Sequence, residues 1–187
     1  MKELPRIIGI CGKKYSGKDT IADILVTEYG YEKISFATPL KKACALIFGF
    51  TDNQLNGSEK EMIDPFWKIT PREVLQFVGT ELFRKQVGVI IPHVGEDIWV
   101  ISLLKIINDN PNKKYVIADI RFPNEISCIK SNLNSVAIWR VTRPTENNNN
   151  FSNHASEIDI DKLPIDKIII NDKTINDLRQ KIIELNI

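Results

Sequence analysis

The run Gly12-Lys13-Lys14-Tyr15-Ser16-Gly17-Lys18-Asp19-Thr20 constrains this chain more than any other segment. It directly follows the apolar stretch Pro5 to Cys11 and directly precedes the helical pattern Thr20 to Leu25. A strand, a glycine-bounded loop with its lysine, and a helix are the parts of a phosphate-binding loop. Glycines let the backbone curl with its N–H groups pointing inward. The helix N-terminus adds partial positive charge where phosphates would sit. Lys18 is placed to reach terminal phosphates as a point charge. Gly12, Lys13, Ser16, Gly17, Lys18, Asp19 and Thr20 are therefore the expected triphosphate-binding residues. One position departs from the common pattern. Where a Ser or Thr hydroxyl usually ligates magnesium, this chain has Asp19, followed by Thr20. A carboxylate is also a hard oxygen ligand for Mg2+, directly or through water. It adds negative charge that the metal and Lys18 must offset.

Short apolar runs mark strands at Ile7 to Cys11, Glu32 to Phe36, Tyr115 to Ile120, Val136 to Val141 and Lys167 to Ile170. They lack strict alternation, as strands buried on both faces do. Helical patterns lie between them: Thr20 to Glu28, Pro39 to Phe48, Pro71 to Val87, Ile98 to Asn108, Asn124 to Asn132 and Ile175 to Leu185. Thr70-Pro71-Arg72-Glu73 is a clear helix start, and Thr174 with Asp177 is a weaker one. Strands alternating with helices predict an α/β fold with a parallel five-stranded sheet between helical layers. Residues 49–95 carry no strand signal and read as a helical insertion within one domain spanning 1–187. The tract Asn147 to Asn150 reads as a loop.

The length of 187 residues suits one domain with a sizeable core. A net charge of +1 argues against a nucleic-acid polymer as partner and against a polybasic membrane anchor. No apolar run approaches the ~20 residues that span a bilayer, and no leader pattern opens the sequence. A cytoplasmic protein is expected, with Cys11, Cys44 and Cys128 as buried free thiols.

In such sheets ligands bind beyond the carboxyl ends of the strands. Asp119 closes the apolar run Tyr115 to Ala118, where a carboxylate beside the phosphate loop can hold Mg2+ through water. Arg121 lies two residues on, where it could bind phosphate or pair with Asp119 or Glu125. Arg72, Arg84, Arg140 and Arg143 are the other candidate phosphate cations. Arg143 stands at the edge of a polar segment, 144–152, that suits a closing lid. Phe36 and Phe77 are candidates to line a planar base. His154, Ser156 and Glu157 lack a nucleophile elbow, so they read as a docking end for the lid and not as a hydrolase site.

The motifs Gly12-x4-Gly17-Lys18-Asp19-Thr20, Phe36-Ala37-x-Pro39-Leu40-Lys41, Arg72-x3-Gln76-x2-Gly79-Thr80-x3-Arg84 and Asp97-x-Trp99-Val100 follow one another in order. Asp119-x-Arg121-Phe122-x-Asn124-Glu125, Arg143-Pro144 and His154-x-Ser156-Glu157 continue the series. Together they resemble the deoxynucleoside monophosphate kinases of phages and large DNA viruses, within the P-loop kinase superfamily. The resemblance implies a P-loop NTPase three-layer sandwich with an acceptor-binding insertion (49–95) and a lid (143–157). It implies transfer of the ATP γ-phosphate to a deoxynucleoside monophosphate, with Mg2+ as cofactor and a viral protein working in the host cytoplasm.

The resemblance also assigns roles. Lys18, Arg121 and Arg143 serve the transfer, Asp19 and Asp119 the metal. Arg140, Asn171 and Lys173 join the loop residues in holding ATP, Asn171 to Thr174 bordering the adenine. Phe36, Ala37, Pro39, Leu40, Lys41, Arg72, Gln76, Phe77, Thr80, Arg84 and Glu157 bind the acceptor, with the Gln76 amide able to read a base edge. Two alternatives stay open: another small-molecule kinase such as a phosphomevalonate kinase, which shares a similar loop, and a non-catalytic nucleotide switch. The chain lacks the guanine-reading Asn-Lys-x-Asp motif of such switches. A homodimer is expected from the apolar, strandless insertion.

Overall fold

In a computed structural model of the chain, residues 3–13, 15–144 and 163–185 are described. Of the expected features, the Asn147 to Asn150 tract, most of the 143–157 lid, and His154, Ser156 and Glu157 lie outside those residues. The chain divides into two compact units, residues 1–35 with 107–187, and residues 36–106.

The first unit is built on a sheet of five strands: β1 (Ile7–Cys11), β2 (Tyr31–Ile34), β3 (Lys114–Ile117), β4 (Val136–Thr142) and β5 (Lys167–Ile170). They run parallel in the order β2-β3-β1-β4-β5. β1 is central, and every one of its residues is buried. That explains a strand with no polar side chain in its five positions: both faces are covered, so alternation has no purpose. Its register is fixed on both sides, Ile8 opposite Val116 and Ala137, and Cys11 opposite Arg140.

Helix α1 (Lys18–Tyr29) presents Ile21, Ala22, Ile24 and Leu25 to the sheet. They pack with Ile8, Ile10, Val116, Trp139 and Val141 and with Leu178 and Ile182 of the last helix, α8 (Ile175–Leu185). The β1-to-β2 connection and the β3-to-β4 connection, which carries α7 (Pro123–Asn132), run in opposite directions along the sheet. Right-handed crossovers therefore place α1 and α7 on opposite faces, giving three layers. The sequence reading stands to the residue at β1, β5, α8 and the helix Ile98–Asn108, and at the other strands and at α1 and α7 within one to three residues. β3 ends at Ile117, three residues short of the expected Ile120, although the N–H groups of Ala118 and Ile120 still reach the carbonyls of Ile34 in β2 and Ile10 in β1 at 3.4 and 3.3 Å.

The second unit contains helices only: α2 (Thr38–Phe48), α3 (Asp52–Asn56), α4 (Pro71–Gln76), α5 (Lys85–Ile90) and most of α6 (Ile98–Asn108), with short 3-10 turns between them. Leu40, Cys44, Phe50, Leu55, Val74, Leu75 and Val78 form its core. The capping box at Thr70 is made as expected, Thr70 accepting from the Glu73 N–H and Glu73 accepting from the Thr70 N–H. The expected single helix Pro71 to Val87 differs in one respect. Residues Phe77–Arg84 form a π-helix between α4 and α5. Within it the Trp99 indole N–H donates to the Gly79 carbonyl at 3.0 Å, and a Cβ at Gly79 would stand 2.7 Å from the Leu40 side chain. Such segments often sit at functional sites.

Candidate active site

The loop after β1 is shaped by two glycines that no other residue could replace without strain. Gly12 has φ 150°, and a Cβ there would stand 2.4 Å from the Val141 carbonyl oxygen and 2.8 Å from Ser16 Oγ. Gly17 has φ 102°, and a Cβ there would stand 2.3 Å from Asn171 Nδ2. Between them the Ser16 N–H donates to the Lys13 carbonyl at 3.2 Å, and Tyr15 takes a left-handed conformation, φ 64°. The chain thus curls tightly before α1 starts at Lys18.

Lys18 folds back over this curl. Its Nζ donates to the carbonyls of Gly12 at 2.7 Å and Lys13 at 2.8 Å. The ammonium is therefore held at the mouth of the loop by the loop itself. Ser16 is buried, 3% exposed, and its Oγ has no hydrogen-bond partner. A buried hydroxyl in that state costs roughly 1–3 kcal/mol, a cost that an oxygen-rich ligand would relieve. An N–H-rich curl, a fixed cation and a hydroxyl short of a partner fit a triphosphate.

Around the loop, Arg140 flanks the end of β1, opposite Cys11. Burial pushes the Cys11 thiol up to about 11, against the nearby charges of Arg140 and Lys18. Arg143 is exposed just past the end of β4, and Lys173 is exposed just past β5. Asn171 is buried, its side chain donating to the Ser16 carbonyl at 2.9 Å and its backbone N–H to Thr142 at 2.7 Å. Its side chain thus lies against the backbone of the loop.

The turn after β3 places Asp119 half-buried and Arg121 exposed. Sequence reasoning gave Glu125 no role beyond pairing with Arg121, yet it organises the turn. It is 8% exposed and accepts the backbone N–H of Arg121 at 2.8 Å and of Phe122 at 3.0 Å. Burial raises its pKa and the Asp119 charge adds to this, while the two N–H bonds work the other way. Its place at the third position of α7 was the available signal, since an acid there reaches back to the helix start.

Asp19 lies exposed in the first turn of α1, where the helix dipole favours a carboxylate. Its Oδ1 pairs with Lys33 Nζ at 2.9 Å, and the same ammonium reaches Asp23 at 3.0 Å. Burial works against the Lys33 charge, and the two carboxylates outweigh it, so its pKa is raised. Among the described residues no group of three or more His, Cys, Asp or Glu side chains is placed to hold a metal ion. The donor set fits Mg2+ nonetheless, because Mg2+ beside a nucleotide needs only one or two carboxylates, the rest coming from phosphates and water. Asp19 and Asp119, with the Thr20 hydroxyl, are the hard oxygens available.

In the helical unit, Phe36 is buried, Ala37, Pro39 and Lys41 are half-buried, and Leu40 is a core residue against Gly79. Lys41 Nζ donates to Asn56 Oδ1 at 2.5 Å. Arg72 pairs with Glu61. Gln76, Phe77, Thr80 and Arg84 are all exposed on α4 and the π-helix. The structure thus gathers most of the expected acceptor residues on one unit, four of them on or beside the π-helix, while Leu40 contributes to its packing.

A parallel sheet whose central strand opens into a glycine-bounded loop capped by its own lysine defines the P-loop class of nucleotide-binding proteins. The fold matches two solved structures. A dephospho-CoA kinase from Campylobacter jejuni superposes with a TM-score of 0.52, covering 96% of this chain and 95% of its own at 20% identity. A protein from Thermus thermophilus superposes with a TM-score of 0.50 over 98% and 97% of the two chains at 17% identity. These likenesses bear on fold. In sequence, residues 6–65 and 60–182 match the deoxynucleotide monophosphate kinase family profile. A protein of Acanthamoeba polyphaga mimivirus named for that activity is 36% identical over 188 residues, 95% of this chain and 94% of its own. The deoxynucleoside-5'-monophosphate kinase of Escherichia phage T5 is 24% identical over 64% of this chain and 69% of its own. The chain belongs to the deoxynucleotide monophosphate kinase family.

Proposed function

We propose that this protein transfers the γ-phosphoryl group of ATP to a deoxynucleoside monophosphate, yielding ADP and the diphosphate. A phosphate oxygen of the acceptor attacks the γ-phosphorus in line. The bond from that phosphorus to the β,γ-bridging oxygen breaks, and its electrons leave with ADP. No general base is required, because the attacking oxygen is already ionised. Catalysis then rests on positioning and on charge.

The observation that carries this reading is the Lys18 ammonium, fixed at the loop mouth by the Gly12 and Lys13 carbonyls, in a chain of this family. The amides of Lys13, Gly17, Asp19 and Thr20 and the Ser16 hydroxyl would cradle the β- and γ-phosphates, with Lys18 countering their charge. Arg121, Arg140 and Arg143 would gather the charge that builds on the moving group. Asp19, Asp119 and Thr20 would hold Mg2+, which supplies charge neutralisation between the phosphates. Phe36, Ala37, Pro39, Lys41, Arg72, Gln76, Phe77, Thr80 and Arg84 would make the 36–106 unit the acceptor-binding part, joined by Glu157, and the 143–157 lid would exclude water. The family match favours this acceptor over a phosphomevalonate or a turnover-free switch.

The reading is tested by following ADP release with ATP and Mg2+, with and without each deoxy- and ribonucleoside monophosphate. ADP should form only with an accepted monophosphate and in equal amount to the diphosphate. Hydrolysis indifferent to every acceptor would overturn the proposal.

Exposed Leu46, Ile47, Phe66, Val89 and Ile90 of the helical unit support a homodimer, checked by light scattering. Among the described residues no helix is long and apolar enough to cross a membrane, which is compatible with a cytoplasmic site of action.

A further inference from the structure

We infer that Asn171 is a positioning residue of the triphosphate loop, acting through the Ser16–Gly17 peptide and not through the adenine. The inference rests on the reading of that loop as the triphosphate site. Asn171 follows β5 and is 3% exposed. Its Nδ2 donates to the Ser16 carbonyl at 2.9 Å. A trans peptide is planar, with C=O and N–H on opposite sides. Tying the Ser16 carbonyl to Asn171 therefore aims the Gly17 N–H away from Asn171. That N–H lies one residue before α1 and Lys18, at the position where the helix dipole and the lysine charge converge.

Three further features make the arrangement specific. The backbone N–H of Asn171 donates to the Thr142 carbonyl at 2.7 Å, so the side chain is fixed from its own main chain. Gly17 is pressed against the amide so closely that a Cβ would stand 2.3 Å from Nδ2. Ser16 Oγ, on the same residue that Asn171 holds, is buried without a partner. A residue that is buried, oriented at both ends and in contact with the loop backbone is placed to set peptide orientation.

The experiment compares the wild-type protein with Asn171→Asp and Asn171→Ser by titration calorimetry against ATP, GTP and inorganic triphosphate. Asn171→Asp keeps size but turns an acceptor toward the Ser16 carbonyl. Asn171→Ser shortens the side chain, and serves if the aspartate variant does not fold. Affinity for all three ligands should fall in parallel, by about tenfold, the scale of one lost charge-assisted hydrogen bond. The ATP-to-GTP ratio should stay unchanged. A merely destabilised protein would lower the fraction of sites that bind, not the dissociation constant of the rest. An unchanged triphosphate affinity, or a shifted ATP-to-GTP ratio with triphosphate unaffected, would overturn the inference. Wild-type protein that binds no triphosphate would overturn the loop reading and the inference together. Wild-type protein that binds ATP but phosphorylates no monophosphate would sink only the kinase reading, and the parallel loss would still support Asn171.

Discussion

The Nζ of Lys33 lies 2.9 Å from the Oδ1 of Asp19, so the carboxylate at the usual magnesium-hydroxyl position is answered by a cation from β2. If Asp19 serves Mg2+, metal and ammonium compete for one oxygen. Lys33→Met should then lower the Mg2+ concentration needed for half-maximal turnover, and Asp19→Asn should raise it. Exposed pairs are worth about 0.2–1 kcal/mol, so each shift should be about 1.4- to fivefold. A Mg2+ titration of both variants checks this, and identical requirements would remove Asp19 from the metal.

Lys18→Ala should lower kcat by about a hundredfold or more, the range for removing one preorganised donor to developing charge. Lys18→Arg should not rescue it, because a planar guanidinium cannot replace a compact ammonium seated on two carbonyls. Steady-state kinetics beside a thermal melt will separate lost chemistry from lost fold.

Gly17→Ala should destabilise the protein by roughly 1–3 kcal/mol, because φ 102° is strained for any side chain and the new methyl meets Asn171. Urea unfolding measures the loss. A neutral outcome would mean that the loop backbone is free to shift.

The alkaline limit of stability should bear the mark of Cys11. Its pKa is ordinarily near 9 and is raised to about 11 in the fold. Below the lower value both states keep the proton and the contribution is complete. As pH rises from there toward 11 the unfolded chain ionises first, so stability falls. Melting temperature followed from pH 8 to 11 should drop less steeply in Cys11→Ala than in the wild type. In thiol labelling at mild pH, half-buried Cys128 should react before Cys11 and Cys44, which are buried with raised pKa.

Trp99→Phe should cost about 1 kcal/mol, since it removes the donor to the Gly79 carbonyl while keeping a ring beside Phe83. Chemical denaturation gives the number. If the π-helix matters to acceptor binding, KM for the monophosphate should rise while KM for ATP holds.

Much of this was legible from residues alone. β1, the glycine loop and α1 were readable because each has a local cause: a run without polar residues, two glycines and a lysine, and an apolar face repeating at three and four residues. The Thr70 cap and the Thr174–Asp177 cap were equally local, and both are made. What escaped depends on contacts distant in sequence. Nothing near Gly79 announces that an indole twenty residues away will claim its carbonyl. Nothing in Asn171-Asp172-Lys173 says that the amide turns down under the loop. Lys33 is one of two adjacent exposed charges in β2, and only the fold brings it to Asp19.

The bond from Asn171 to Ser16 closes a separation of 155 residues. A ribosome releases the glycine loop 155 residues before the anchor beneath it. Competence to grip a nucleotide then waits on β5 and the residue after it, and a chain cut short before β5 would carry the motif without this anchor beneath it.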